Sequence, residues 1–167
     1  SVLETLSLIL ISPLTITIKN SPTGILLLTS TTKFPFTNTT MSDIESDVGG
    51  RGIVFVNGNL VVDVNNNIPV GEFLMVIVSG DISINESVSN TEGVFVSDGS
   101  VIAGGESDNQ LTIEGVVMAG VDAIFTRSYV DHVNNNTSPA VIFSYRPDFI
   151  FTMPSELFGG LIEWRED

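Results

Sequence analysis

Carboxylates at alternate positions are the first residues whose spacing could do chemistry. Asp43, Glu45 and Asp47 alternate within the segment 42–49. Oxygen ligands at this spacing occur in calcium-binding loops, although here the glycine comes late and the distal glutamate of such loops is missing. The alternative is a solvated acidic loop. The same two interpretations, a calcium site or a solvated acidic loop, apply to Glu106 and Asp108 at a predicted corner.

A second set of carboxylates could cleave polysaccharides, because glycoside hydrolysis needs only two carboxyl groups at the right separation. These acids are scattered through the middle of the chain: Asp63, Asp81, Asp98 and Glu114. The last three adjoin recurring glycines, so we expect them on one outer face. Since like charges stacked in a column repel, calcium bridging or offset placement is favoured over a catalytic pair.

The histidine and the arginines of the chain are expected to have structural rather than catalytic roles. His132 is the single histidine and, without a Ser or Cys nucleophile to activate, it is expected in a surface turn. The arginines are expected to form local ion pairs that organise the end of the fold, namely Arg127, Arg146 and Arg165 with Asp122, Asp148 or Glu163.

Two further motifs favour structure over function. Asn-x-Ser/Thr sequons occur at Asn38, Asn85, Asn135 and Asn136, but Asn-rich turns produce them by chance. Threonine and serine runs at 15–17, 29–32 and 37–40 resemble ice-binding arrays. Such an array must recur once per coil, and these runs do not. The sequence therefore predicts no catalytic, cofactor-binding or metal-binding residues.

Composition excludes several classes of protein. Among 167 residues, 6 Lys and Arg face 20 Asp and Glu, for a net charge of −14. That field repels nucleic acids and anionic lipids. Cysteine is absent, which excludes disulfides and cysteine-based zinc sites. The apolar stretch 6–11 is too short for a membrane span, so we expect no membrane contact in this fragment. Since the chain opens at Ser1 rather than Met, without a signal-peptide core, we expect that residues upstream have been removed by processing or by the choice of fragment.

The elements that position these residues form a repeat around four glycines. Gly58, Gly80, Gly99 and Gly115 are separated by 22, 19 and 16 residues. The positions two and four residues before and after them are mostly apolar, as at Val54, Val56, Leu60 and Val62 around the first. A period of two indicates strands with one face inward. Asn-, Ser- and Gly-rich turn segments separate the units.

Two architectures fit this repeat. In a parallel β-solenoid each unit is one coil and the aligned positions form apolar columns. In an antiparallel sandwich, Asn57-Gly58 and Asp98-Gly99 would be hairpin turns. Because the unit around Gly115 lacks hairpin chemistry and keeps the same columns, the pattern favours the solenoid. We predict an all-β, single-domain parallel β-helix over residues 1–167.

The flanks divide this domain. Residues 1–50 are predicted to form an irregular first coil followed by an excursion loop from Thr29 to Gly50, and 52–130 are the repeat coils. Residues 131–167 are predicted as C-terminal strands and a cap. Alternating apolar residues at 141–145 and again at 149–153 indicate two strands, and Phe158 and Trp164 are placed to close the last coil.

The strand-glycine repeat, Arg127, the Asn-rich turn, the run 139–148 and the ending 164–166 resemble the soluble region of bacterial β-solenoid minor pilins and related pilus-associated proteins. The resemblance covers about residues 52–167. It implies a non-enzymatic, extracellular structural or adhesive module on a bacterial surface or type IV pilus, with a membrane anchor upstream of this fragment. The implied partners are other pilus subunits or a surface ligand. The alternative is a carbohydrate-active β-helix, either an enzyme or a sugar-binding module.

Overall fold

The architecture was taken from a computed structural model of the chain. The structure describes residues 14–15, 33–34, 36–48 and 52–153. The strands are β1 (Leu14–Thr15), β2 (Lys33–Phe34), β3 (Phe36–Thr40), β4 (Gly52–Val62), β5 (Leu74–Val78), β6 (Ile82–Ile84), β7 (Asn90–Ser97), β8 (Val101–Ala103), β9 (Glu106–Ser107), β10 (Leu111–Ala119), β11 (Ala123–Phe125), β12 (Ser128–Tyr129) and β13 (Val141–Ser144). The helices are α1 (Met41–Val48) and α2 (Asp148–Thr152), with a 3₁₀ turn at Asn134–Asn136.

The strands stack in parallel as a β-solenoid of about four turns, which confirms the predicted fold class. One face runs from β3 through β4, β5 and β7 to β10, and a second runs from β4 through β6 and β8 to β11. β4 is long enough to bend around a corner and contribute to both faces. Parallel pairing excludes the hairpin alternative at Asn57-Gly58 and Asp98-Gly99.

Apolar columns fill the interior of the solenoid. Val54, Val76 and Phe95 lie in register on successive turns, and each is at most 3% exposed. Leu60, Ile82 and Val101 form the matching column on the second face. Every inward residue therefore packs against the residue one turn above it and the one below, which is why a period of two along the sequence suffices to build the core.

The predicted alignment is correct for three glycines and wrong for the fourth. Gly58, Gly80 and Gly99 stack at one corner, where the Gly80 amide donates to the Gly58 carbonyl at 2.8 Å. Gly115 pairs instead with Gly93, and the Gly99 carbonyl accepts from Val121. The turn after Gly99 is thus 22 residues long rather than 16. The sequence pattern misled because β10 is apolar at alternate positions along its whole length, so a slip of six residues preserves the parity.

The predicted excursion loop between Thr29 and Gly50 is wrong where the structure describes it. Residues 36–40 form β3, which pairs with β4 through Phe36 and Val56, and the acidic segment forms α1. Met41 and Ile44, which both belong to α1, are fully buried. Two apolar residues three positions apart anchor one side of a helix, a spacing hidden among the Ser, Thr and Asp residues.

The C-terminal part also differs from the prediction. The alternation at 149–153 belongs to α2 rather than to a strand, and the last part of the repeat region, residues 123–130, contains the two short strands β11 and β12. Phe149 is buried and Met153 packs against the core, as an i,i+4 pair on one side of a helix. Pro147 precedes this helix with φ −66°, a value suited to helix initiation.

α2 packs along the side of the solenoid instead of closing its last turn. The Phe149 ring meets Phe73 edge to face at 6.1 Å, and the Thr152 hydroxyl donates to the Glu72 carbonyl. Both partners belong to an earlier turn. Phe158 and Trp164, the predicted cap, lie outside the described residues.

Within the described ranges, none of the helices has the length and apolar character needed to cross a bilayer.

Candidate functional site

Asp43, the first residue of the segment considered as a calcium loop or a solvated acidic loop, caps helix α1. Its backbone amide donates to Thr40 Oγ1 at 3.2 Å, and the Thr40 amide donates back to Asp43 Oδ2 at 3.3 Å. This reciprocal arrangement is a capping box. Two hydrogen bonds from Thr40 lower the pKa of Asp43. The one from the Thr40 hydroxyl has the larger effect, and the one from the Thr40 amide has the smaller effect. The carboxylate therefore serves the start of the helix.

The other two carboxylates of the segment do not join Asp43 around a common point. On a helix, residues two apart lie on nearly opposite sides, so Glu45 is separated from Asp43 and Asp47. Burial, and secondarily the charge of Asp63, raises the pKa of Glu45. Between residues 36 and 48 and from 52 to 153, no three metal-ligating side chains come together. The geometry of a calcium loop is thus replaced by a capped helix.

Polar side chains at one corner form a ladder between turns. The Asn59 amide donates to Asn38 Oδ1 at 2.9 Å, the Asp81 amide to Asn59 Oδ1 at 2.8 Å, and the Ser100 amide to Asp81 Oδ1 at 2.7 Å. We call Asn38, Asn59, Asp81 and Ser100 the corner ladder. The side-chain oxygens of Asn38, Asn59 and Asp81 each satisfy a backbone N–H that the corner leaves without a strand partner. Sequence analysis missed this role, although Asn, Asp and Ser directly follow the aligned glycines.

The carboxylates considered for polysaccharide cleavage lie apart. Asp81 belongs to the corner ladder, whereas Asp63 accepts from the Ser42 amide and hydroxyl at 3.0 and 2.7 Å. Glu114 pairs in register with Glu92 on another face. Asp98 is exposed at the edge of a groove. The expected outer column of Asp81, Asp98 and Glu114 is therefore wrong, because the correct register places Gly120 after Asp98.

That groove is the most notable feature of the outer surface. It has a volume of about 490 Å³ and is lined by outward side chains of three turns, including Phe55, Ile77, Val96, Asn57, Ser79 and Asp98. The neighbouring outward column is apolar too, through Ile53, Met75 and Val94. Sequence analysis missed this face. The signal was present, since the uninterrupted apolar runs 53–56 and 73–78 are typical of strands that are covered on both faces.

The Arg146 guanidinium lies at the centre of the strongest charged cluster. Its Nη1 donates to Glu92 Oε2 at 2.7 Å and lies 3.7 Å from Glu114 Oε2, and its Nη2 donates to Asp148 Oδ2 at 2.6 Å. The guanidinium also stacks over Phe149 at 4.6 Å. Its hydrogen bonds to Asp148, above all, raise the pKa of Arg146. The predicted pairing of Arg146 with Asp148 is confirmed.

Glu92, which sequence analysis did not single out, completes this cluster. It is 4% exposed and accepts from the Ile68 amide at 2.8 Å as well as from Arg146. Buried Asn66 holds the backbone beside it: the Glu92 amide donates to Asn66 Oδ1, and Asn66 Nδ2 donates to the Glu92 carbonyl at 2.6 Å. Asn66 was expected in a local turn, but its side-chain amide forms hydrogen bonds to the following turn of the solenoid.

Among the described residues, Arg127 bonds to backbone carbonyls instead of forming the local ion pair that was expected. It is 6% exposed, and its guanidinium donates to the carbonyls of Val88 and Asn85 in the preceding turn. Burial lowers its pKa, partly offset by the charge of Glu86. Arg127 therefore ties one corner to the corner before it. Arg165 and Glu163 lie outside the described residues.

His132 lies in an exposed turn, as predicted. Its Nε2 is 4.0 Å from Glu106 Oε1, and both side chains are more than half exposed. Asp108 is exposed as well. These residues form a loose surface group.

The structure separates the four sequons into two kinds. All four asparagines are exposed, but Asn38 Oδ1 accepts from the Asn59 amide and Asn135 Oδ1 accepts from the Tyr129 amide. Of the threonine runs, 37–40 lies in β3, where Thr39 is buried.

No protein family, curated protein or solved structure was found to match this chain. The β-solenoid fold expected from the resemblance is confirmed, and membership among the minor pilins stays a hypothesis.

Proposed function

We propose that this chain is a non-enzymatic extracellular structural and adhesive module, the exposed region of a type IV pilus minor pilin. The corner ladder carries the proposal. The side chains of Asn38, Asn59 and Asp81 are of the types that could do chemistry, yet each one accepts a hydrogen bond from the next turn. A molecule that uses its recurring polar residues to join its own turns is built for stiffness.

The rest of the described surface supports display and contact. A net charge of −14 keeps such modules apart from one another and from anionic lipid. The partners are other pilus subunits or a ligand on a target surface. Within residues 52–153, α2 lies along the side of the solenoid and not over its last turn.

The proposal is tested in the source organism. Antibodies against the folded module should label the outside of intact cells or their filaments in immunogold electron microscopy. Deletion of the gene should reduce pilus number or attachment, and its restoration should recover both. Pili and attachment that are unchanged after deletion, or label confined to the cell interior, would exclude the proposal.

A carbohydrate-active β-helix is the second candidate, because the groove beside Phe55 combines an apolar floor with Asn57, Ser79 and Asp98 along one edge. Among the described residues that line the groove, Asp98 supplies the single carboxylate, whereas glycoside hydrolysis needs two carboxyl groups. A sugar-binding role is therefore favoured over cleavage for this candidate. Retardation of the wild-type chain in gels containing soluble polysaccharide, lost in the variant Asp98→Asn, would support it over the pilin proposal.

A further inference from the structure

We propose that the C-terminal end of the solenoid binds an extended, uncharged β-strand of a partner protein, which continues the stack by one strand. We call this surface, formed by residues 115–125 and 141–145, the open end. The inference rests on the proposed function, because a module that assembles with other subunits needs a surface on which they dock.

The strands of the open end have free edges. In the described part of the chain, β11 pairs only with β8 and β13 only with β10. The 115–119 segment of β10 pairs only with β7. Free edges of this kind present a row of backbone donors and acceptors to which another strand can add.

The direction of the backbone groups follows from the turns below. Inward residues direct their carbonyls to the next turn, as Val56, Val78 and Ser97 do toward Ser79, Asp98 and Gly120 at 2.8–2.9 Å. Their own amides point the same way, since both groups of a residue in a parallel strand face one neighbour. Val117 and Ala119 are the inward residues of the last turn, so their N–H and C=O groups face the open end.

Apolar side chains accompany these free edges. Along one interior column, Leu60, Ile82 and Val101 are at most 1% exposed, whereas Ala123 on the last turn is exposed. Phe143 is 54% exposed and meets Phe125 edge to face at 4.9 Å. The interior of the solenoid is therefore continued to the open end by apolar groups that a strand with alternating apolar residues would cover.

Charge selects the kind of strand. Asp122 is the single charged residue in 115–125 and 141–145, in a chain of net charge −14. An acidic strand finds no cation there and a basic strand finds the single carboxylate of Asp122, so most charges of either strand would be buried without partners, which is costly. A second copy would bring another −14, and this long-range repulsion favours a different protein as the occupant.

The test uses the chain's own coil as a probe. A fluorescein-labelled peptide of residues 52–62, Gly-Ile-Val-Phe-Val-Asn-Gly-Asn-Leu-Val-Val, has no ionisable side chain and has the sequence of β4, the strand that contributes to both faces. Fluorescence anisotropy with the full chain should show saturable binding. Ala119→Pro removes an N–H that faces the open end and that no strand pairing among residues 52–153 uses, and proline is tolerated on edge strands. This variant should bind the peptide at least tenfold more weakly.

Phe151→Ser is the matched control, because Phe151 is 86% exposed on α2, outside the open end. Its affinity for the peptide should equal that of the unsubstituted chain. Absence of saturable binding, equal affinity in a folded Ala119→Pro variant, or equal loss in Phe151→Ser would each overturn the inference. So would a homodimer in light scattering that Ala119→Pro dissociates, since the occupant would then be a second copy. None of these outcomes affects the surface location tested by immunogold.

Discussion

Arg146 reaches across 54 residues to donate to Glu92 at 2.7 Å, and both side chains are largely buried. The pair joins the segment before α2 to an earlier turn of the solenoid. Arg146 Nη2 also donates to the Ile68 carbonyl at 3.2 Å. One guanidinium thus holds two turns and the C-terminal segment together, which makes it the main attachment of α2.

Removing this guanidinium should destabilise the fold strongly. Arg146→Met leaves Glu92 buried without its cation, so we expect the free energy of unfolding to fall by about 3 kcal/mol. Urea denaturation followed by circular dichroism measures it. Arg127→Met is a useful comparison, because that cation binds carbonyls and its loss strands no buried carboxylate. A loss below about 1 kcal/mol in Arg146→Met would contradict the argument.

Asn66 should matter far more than its neighbour in the same asparagine run. Asn66→Ala removes three hydrogen bonds to Thr91 and the Glu92 backbone, and we expect a loss of about 2 kcal/mol because buried groups are left unsatisfied. Asn67 is exposed. Asn67→Ala should change the free energy of unfolding by less than about 0.5 kcal/mol in the same urea titration. An equal loss of unfolding free energy in the two variants would show that the Asn66 side chain does not hold neighbouring turns together.

The stacked corner should reject a methyl group at Gly80. A Cβ there would lie 2.7 Å from the Gly58 carbonyl oxygen and would also meet Asn59. We expect Gly80→Ala to lower the free energy of unfolding by about 2 kcal/mol, because backbone of adjacent turns must separate. Gly104→Ala is the control, since its Cβ would meet only the Thr126 hydroxyl at 3.1 Å. A thermal melt in which both variants match the unsubstituted chain would refute the stacking.

Acid should loosen α2 through Asp148. Hydrogen bonding from Arg146 lowers the pKa of Asp148 below its ordinary value. A depressed pKa stabilises the fold above the unfolded-state pKa, and this contribution is lost as the pH falls through the folded-state value. Asp148→Asn should therefore reduce stability near neutral pH and flatten the decline in stability below about pH 4. Melting temperatures measured across this range check it, and an unchanged acid limb would count against the pairing.

Glu45 should show the opposite sign. Burial and the nearby charge of Asp63 raise its pKa, so its ionised form is disfavoured in the folded chain. Glu45→Gln should raise the melting temperature slightly at neutral pH and lose this advantage at acid pH, where the native carboxyl is protonated. Glu106→Gln, an exposed carboxylate elsewhere, serves as the control. A lower melting temperature at neutral pH would show that the charge of Glu45 is favourable.

The solenoid could be predicted from the sequence because strand parity is a local property. Alternating apolar residues around Gly58, Gly80 and Gly99 determine which side chains face inward, whatever lies above or below them. The acidic composition likewise determines that the net charge of the protein is strongly negative. The same locality explains the errors, since parity survives a slip of six residues at Gly115 and an apolar pair such as Phe149 and Met153 suits either a strand or a helix.

Only the tertiary structure decided what the polar residues do. Asn59, Asp81 and Asn66 have the composition of turn residues, yet their partners lie one turn away, at a distance in sequence that depends on each loop's length. The partners of Arg146 are farther still. Hydrogen bonds and ion pairs act over a few ångströms in space, so they are determined by which turn stacks on which, and that register is set by the whole fold.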